Sequence, residues 1–391
     1  MPKPCPDCGP VPVIHWIEKM SVIVDWMLSP IARFSARASR PFRPFSRTLA
    51  KRGFWVSFLN FLAAIRLMTV TERLDEKDNL RTQALWESAD KLGIRVKEFR
   101  LFGTPGNPFF TAEYKGRKIA FEGLPRIPGF SDDAIEWMDD KKAMKKKFAA
   151  EGIPVARGAG CFRFRKALKV FREIDDTVIV KPSIGSRSRH TFTGIDSEEE
   201  LAKAFRSAKR LSPWVVVEEE LAGFVYRGTV VGGELQGVVS REPASVTGDG
   251  VRTVRELIAI ENENPLRHGP IYHEIHADDG RLESTVPGKG ERVVVNRKVS
   301  RSVGAAVRDV TDATHPETAE LLERIGRMLD ASVVGIDFII GDIERSWKEQ
   351  KKCGVIECNS LPFIDLHHYP LEGEPRDVGG TIWKRSDIMN A

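Results

Sequence analysis

The chain has 391 residues, 41% apolar and 29% charged, which is enough to bury a sizeable core and to form two to three domains. The formal charge is +5, but residues 31–52 contain Arg33, Arg37, Arg40, Arg43, Arg47, Lys51 and Arg52 and no acid. The remainder is slightly acidic, so the basic character is local and no nucleic-acid partner is expected. The cysteines are Cys5, Cys8, Cys161, Cys353 and Cys358, an odd number in a chain of ordinary size, which excludes a disulfide scaffold and points to a reducing cytoplasm.

Residues 1–71 form a helical and basic extension. Residues 11–27 are apolar with Trp16 and Trp26, the arginine stretch follows with Pro41 and Pro44, and residues 54–65 are again apolar. Neither apolar run reaches the ~20 residues that span a bilayer. Two readings stay open: amphipathic segments lying on an anionic inner membrane surface, or helices that pack on the enzyme or on a second copy of the chain, the latter being favoured. No secretory leader is expected, because the arginines lie behind an apolar segment and no small-residue cleavage site follows one. Cys5-Pro6-Asp7-Cys8 has half the spacing of a zinc ribbon, yet no second Cys or His pair lies close by in sequence, which leaves a structural zinc the minority reading.

Residues 72–139 read as a small α/β unit. Residues 80–92 are an amphipathic helix ending at Gly93, Ile94-Arg95-Val96 begins a strand, and residues 109–122 alternate as a hairpin across Tyr114-Lys115-Gly116-Arg117. Further along, residues 140–152 are expected to be helical, Ser197-x-x-Glu200 and Thr253-x-x-Glu256 read as capping boxes, and residues 316–330 form a helix leading into a strand. There is no internal repeat.

Chemistry is suggested first by Val178-Ile179-Val180-Lys181-Pro182, a strand ending in a lysine, followed by the small, polar and basic segment 183–190, which contains Ser183, Gly185 and Ser186. Backbone N–H groups of such a loop can approach phosphate oxygens, and the lysine offers them a point charge; a plain basic turn is the alternative. Trp214-Val215-Val216-Val217 then runs into Glu218, Glu219, Glu220 and Leu221. That strand end could present backbone groups to an adenine edge, or be a solvated edge. Gly335-Ile336-Asp337-Phe338 and Val355-Ile356-Glu357-Cys358-Asn359 are buried-strand patterns interrupted by groups that a core rejects unless a cation or a basic residue meets them. Glu357 and Asn359 share one face, and Cys358 points to the other, into the core.

In this order, Asp140-Lys141 with Gly152-Ile153-Pro154, Val180-Lys181-Pro182, Arg241-Glu242-Pro243-Ala244, Gly248-Asp249-Gly250, Asp309-Val310-Thr311-Asp312, Gly335-Ile336-Asp337 and Glu357-Cys358-Asn359 resemble the ATP-grasp superfamily over residues 140–383, most closely the ATP-grasp region of cyanophycin synthetases. The resemblance implies an α/β (α+β) ATP-grasp fold, with two α+β subdomains clasping ATP at residues 140–215 and 216–391, the latter carrying the metal site. By the same likeness, Lys141 and Lys181 contact ATP phosphates, Glu218 through Leu221 line the adenine pocket, and Asp337, Glu357 and Asn359 hold magnesium, two ions for which manganese can substitute. The implied reaction joins a small-molecule or peptide carboxylate to an amine through an acylphosphate, releasing ADP and phosphate. A phosphotransferase that stops at the phosphorylated substrate and a nucleotide sensor are the alternatives.

The chain also departs from that pattern. Val225 stands where relatives have an acid for the ribose, and Gly335 where the D-alanine:D-alanine ligases have an arginine that steadies the oxyanion. Candidate substitutes for that charge are Arg241, Arg297, Lys298 and Arg301, each alternatively a surface cation. On this reading, Asp337→Asn stops turnover and leaves the fold intact.

Overall fold

A computed structural model describes residues 54–74, 78–103, 109–138, 140–183, 189–278, 280, 282–296, 299 and 301–390, together with residues 5, 7, 14–17, 19, 20, 23 and 24. Packing divides the chain into two units. The first comprises Met1–Phe54, Ile135–Ala222 and Lys351–Cys358; the second comprises Trp55–Ala134, Gly223–Gln350 and Asn359–Ala391.

The second unit begins with a sheet of β1 (Met68–Thr71), β2 (Arg95–Leu101), β3 (Phe109–Tyr114) and β4 (Arg117–Glu122), antiparallel and in sequence order. The β3–β4 hairpin turns at the expected residues, Lys115 and Gly116 both having positive φ (47° and 80°) as a two-residue hairpin turn requires. Residues 72–134 do not have a core to themselves. The helix Leu80–Lys91 packs through Ala84, Leu85 and Ala89 into one cluster with Val231, Val333 and Trp383, and Trp383 Nε1 donates to Leu85 O at 2.8 Å. The apolar segment ahead of β1 folds as a helix, Phe54–Ala64, whose Leu59 and Leu62 pack on Met68 and Phe99. Phe58, Phe61 and Ile65 remain exposed, and no helix among the described residues is long and apolar enough to cross a membrane.

The first unit is built on β5 (Gly158–Cys161), β6 (Val178–Pro182), β7 (Phe192–Ile195) and β8 (Val215–Glu219), antiparallel in the order β5-β8-β6-β7. The helices Phe164–Ile174 and Glu198–Ala208 share its core through Ala167, Val170, Leu201 and Phe205. A third helix, Lys141–Ala150, is capped by Asp140, whose carboxylate accepts from the N–H groups of Lys142 and Ala143.

The larger sheet of the second unit runs β13-β10-β9-β14, with β9 at Phe224–Val231, β10 at Glu234–Glu242, β13 at Ala306–Asp309 and β14 at Val333–Ile340. The helix Pro316–Leu329 lies so close to this sheet that a Cβ on Gly326 would sit 2.4 Å from Val230 Cγ1, so only glycine fits there. A separate pair joins β11 (Ala244–Thr247) to β12 (Arg292–Asn296). It shares a core with the helix Val254–Asn262, whose Thr253–Glu256 capping box is complete in both directions. At Ser197 only one half forms: Ser197 accepts from Glu200 N, while the Glu200 carboxylate accepts from Asp196 N. Finally, β15 (Gly354–Asn359) carries the chain out of the first unit, where Val355 bridges Val155, into the second at Asn359.

Two buried histidines of the second unit make its stability depend on pH. His367 is enclosed, its Nε2 2.7 Å from Thr229 Oγ1, and burial followed by the Arg227 charge pushes its pKa down to about 3. His368 Nε2 accepts the Gly379 N–H at 2.9 Å, and burial, partly opposed by Asp377, takes it to about 4. Both folded values lie below the ordinary 6.5, so below that pH the unfolded chain binds more protons and stability falls with pH. Each histidine contributes a slope of up to ~1.4 kcal/mol per pH unit. The urea midpoint should therefore drop as pH falls from 6.5 to about 5.5, above most of the ordinary glutamate titration around 4.5. A flat profile there would show that these histidines are not held neutral by the fold.

Candidate active site

In the first unit, the chemistry gathers around Glu218. β8 is an interior strand, paired with β5 on one side and β6 on the other, so the solvated-edge reading fails for Glu218 and Glu219, both buried, while Glu220 lies beyond the strand. Glu218, 2% exposed, lies opposite Ile179 on β6 and receives Lys181 Nζ at 2.6 Å on Oε1 and Lys145 Nζ on Oε2. Burial alone would raise the Glu218 carboxyl, but Lys181 first and Lys145 next hold it below its ordinary value. Burial lowers the Lys145 ammonium; Glu218 works against that shift, while Lys181 and Lys141 add to it. Two ammonium groups on one enclosed carboxylate leave a net positive charge in a place sheltered from water.

The neighbouring acids are engaged differently. Glu219 alternates to the other face and accepts from Arg157 N and Arg157 Nε, both at 2.7 Å. Glu220 accepts from Gly194 N at 2.8 Å, and Leu221 is buried. Ser183 still belongs to the sheet end: its N–H donates to Trp214 O, and its hydroxyl is 3.1 Å from that of Ser212. Gly185 and Ser186 lie outside the described residues. Lys141 opens the helix Lys141–Ala150 and reaches Glu357 Oε1 at 3.5 Å, on β15. Lys145, one turn further along that helix, was not singled out from the sequence, although its i,i+4 relation to Lys141 puts both on one face.

In the second unit, Asp337 on β14 faces Arg227 on β9, and the two form a fork of hydrogen bonds, Nε to Oδ1 at 2.6 Å and Nη2 to Oδ2 at 2.7 Å. Both residues are only 3% exposed. Arg241 on β10 adds a longer contact, Nη1 to Asp337 Oδ2 at 3.9 Å. Sequence reasoning missed Arg227, whose signal was a lone arginine inside an apolar strand. Its position also bears on Gly335. A Cβ there would lie 2.8 Å from Pro362 Cβ and 3.8 Å from Arg227 Cδ, so no arginine fits at 335, and Arg227 brings its cation to that place from the next strand.

A cavity of about 280 Å³ in the same unit is lined by Arg241, Arg301, Ala305, Val307, Phe363 and Asp365 among others. Arg301 donates to Asp365 Oδ2 at 3.0 Å, and its guanidinium lies 5.2 Å from the Tyr272 ring centroid. Burial raises the Asp365 carboxyl, with Arg301 opposing it. Tyr272 is pushed up to about 12, also by burial. Arg241 and Arg301 thus share a concave surface, whereas Arg297 and Lys298 lie outside the described residues.

The donor chemistry suits a hard divalent cation at two of the three expected ligands. Glu357 is partly open, with a single ammonium at 3.5 Å, and Asn359 follows two residues on with Oδ1 as its possible ligand atom, while its Nδ2, buried without a hydrogen-bond partner, is a donor that a cation does not satisfy. Cys358 between them is fully buried, as core placement requires. Asp337 fits less simply: each of its oxygens accepts from Arg227, so only the remaining lone pairs are open to a cation.

No family model matches the chain. It is 31% identical over 321 residues to the glutathione biosynthesis bifunctional protein GshAB of Clostridium perfringens, covering 78% of this chain and 40% of that one. It is also 31% identical over 262 residues to cyanophycin synthetase of a Nostoc species, covering 63% of this chain and 29% of that one. Among solved structures, the bifunctional glutathione synthetase of Pasteurella multocida superposes with a TM-score of 0.60 at 26% identity, covering 79% of this chain and 44% of that one. Fold, the lysines of the site and relatives together define the class: the chain belongs to the ATP-grasp superfamily. Within it, the likeness runs to the glutathione-synthetase and cyanophycin-synthetase branches, and the chain spans less than half the length of these relatives.

Proposed function

We propose that this protein is an ATP-dependent carboxylate–amine ligase acting on a small-molecule or peptide carboxylate and an amine, in the cytoplasm. The observation that carries the reading is the enclosed Lys145–Glu218–Lys181 group: two cations held by one acid, ready to turn toward a polyphosphate. Glu218 through Leu221 are assigned to the adenine pocket, with the backbone beyond β8 facing the base, since the ladder uses the backbone of Val215–Glu219. Glu357, Asn359 and Asp337 are assigned to magnesium, as two ions for which manganese can substitute; bound there, the metal neutralises phosphate charge and polarises the transferring group.

In the reaction, a carboxylate oxygen of the substrate attacks the γ-phosphorus, and the bond to the ADP oxygen breaks. The amine then attacks the acyl carbon, phosphate leaves, and the amine proton passes to base. Arg241 and Arg301, with Arg297 and Lys298, are assigned to the negative charge of the substrate carboxylate and the oxyanion. Residues 1–70 are assigned to packing on the enzyme or a second copy, consistent with Leu59 on Met68 and Phe99.

A screen of carboxylates paired with amines, reading phosphate release and product mass, tests the proposal. ATP consumption should be low with nucleotide alone, rise with the right carboxylate, and rise again with the amine, one ADP and one phosphate accompanying each amide. Glu357→Gln should lower turnover by more than roughly 100-fold, since even an outer partner of a metal ligand is worth about 10–100-fold. A stable phosphorylated product and no amide across the screen would make the protein a phosphotransferase instead.

A further inference from the structure

Outside the site just described, the first unit holds a second cluster that binds no nucleotide in the reading above. Cys5, His15 and His190 bring one ligand atom each to within 4.8 Å of one another. Cys5 Sγ is 3.7 Å from His190 Nε2, and His15 Nε2 is 3.2 Å from the same nitrogen. Tetrahedral zinc with Zn–N of ~2.0–2.1 Å and Zn–S of ~2.3 Å has N···N edges of ~3.3 Å and S···N edges of ~3.6 Å, so both separations match the edges of such a site. The two imidazoles meet edge to face, their planes at 87°, rather than stacking.

A hydrogen bond between the histidines could account for the 3.2 Å contact, but not for the whole group. His190 Nε2 carries either one proton or one in-plane lone pair, and two neighbours converge on it. A cation at the centre would satisfy all three atoms together. The far side of His190 is arranged as metal-bound histidines are. Its Nδ1 lies 2.8 Å from Ser207 Oγ, and the Ser207 hydroxyl in turn donates to Asp7. That chain puts the proton on Nδ1 and turns the Nε2 lone pair toward Cys5 and His15. His190 is itself held in the left-handed region at φ 49°, 1% exposed, with its N–H donating to Asp7 O at 2.9 Å.

We propose that Cys5, His15 and His190 hold a zinc ion that ties Cys5 and His15 to the β5-β8-β6-β7 unit. Cys8 of the Cys-x-x-Cys spacing lies outside the described residues, and the three ligands leave the fourth position of a tetrahedral site to water or another donor. The pattern was hard to see in sequence because the second histidine is separated from the first by 175 positions.

The full chain, purified without chelator, should contain roughly one zinc per molecule by mass spectrometry of its metals. Exchange for cobalt(II) should give the intense ligand-field bands of a tetrahedral site together with thiolate charge transfer. Cys5→Ser should remove that charge-transfer intensity, as expected when Cys5 is the thiolate ligand of the cluster. His15→Ala changes only a half-buried ring, so it should lower zinc retention against a competing chelator while far-ultraviolet circular dichroism stays unchanged. The site is refuted if the chain takes up no zinc at micromolar metal, if its cobalt spectrum is octahedral, or if that spectrum is the same in Cys5→Ser. The contacts are then a hydrogen-bonded cluster only. None of these readouts depends on ATP turnover, so the zinc site and the ligase assignment stand or fall separately.

Discussion

Arg227→Met is expected to destabilise the protein by about 3–5 kcal/mol, because it leaves the Asp337 carboxylate buried with only Arg241, 3.9 Å away, to answer its charge. Asp337→Asn should cost a similar amount by stranding the Arg227 guanidinium in the same place. The expectation that this substitution would stop turnover and leave the fold untouched is therefore revised: the register of β9 against β14 makes Asp337 structural as well as a candidate ligand. The double variant Arg227→Met, Asp337→Leu removes both charges and should recover most of the loss, since an apolar pair of similar volume often matches a buried ion pair. Urea unfolding with the slope held constant measures this. If either single variant stays within about 1 kcal/mol of the parent, the pair is more solvated than its burial indicates.

Lys181→Ala should weaken ATP binding by about 1.5–3 kcal/mol, the scale of a hydrogen bond to a charged group, or roughly 10- to 150-fold in Kd. Lys145→Ala should match it, because both ammonium groups stand on the same enclosed carboxylate. Lys141→Ala should cost less, its ammonium being 3.5 Å from the partly open Glu357. The Lys145 ammonium is lowered, so it loses its charge before an ordinary lysine as pH rises, and affinity should decline on the approach to pH 10.5. Calorimetry on the three variants checks the ranking. An unchanged Kd for both Lys181→Ala and Lys145→Ala would leave the triad a structural ion group with no role at the nucleotide.

Much of this molecule was legible from local chemistry. The hairpin at Lys115 and Gly116, the cap at Asp140, the capping box at Thr253 and the placement of Cys358 in the core follow from turn geometry, orphan helix N–H groups and strand alternation. Each depends on residues a few positions apart. Partial failure at Ser197 shows the limit of that kind of reading: Glu200 had two backbone donors within reach, Asp196 N and Ser197 N, and the chain path selected the first.

The sequence by itself determined the class of protein, because the helix-start lysine, the strand-end lysine and the acid-interrupted strands occur in an order that few folds share. Only the tertiary structure decided which charges meet. Arg227 finds Asp337 across 110 positions through the register of two strands, and Glu218 takes Lys181 because β8 pairs with β6, and Lys145 from the helix Lys141–Ala150. His190 reaches His15 and Cys5 through contacts that no local spacing encodes. The physical reason is one of range. Backbone sterics and capping act within a turn or two, whereas the partner of a buried charge is set by sheet order and register, which exist only after the whole core has closed.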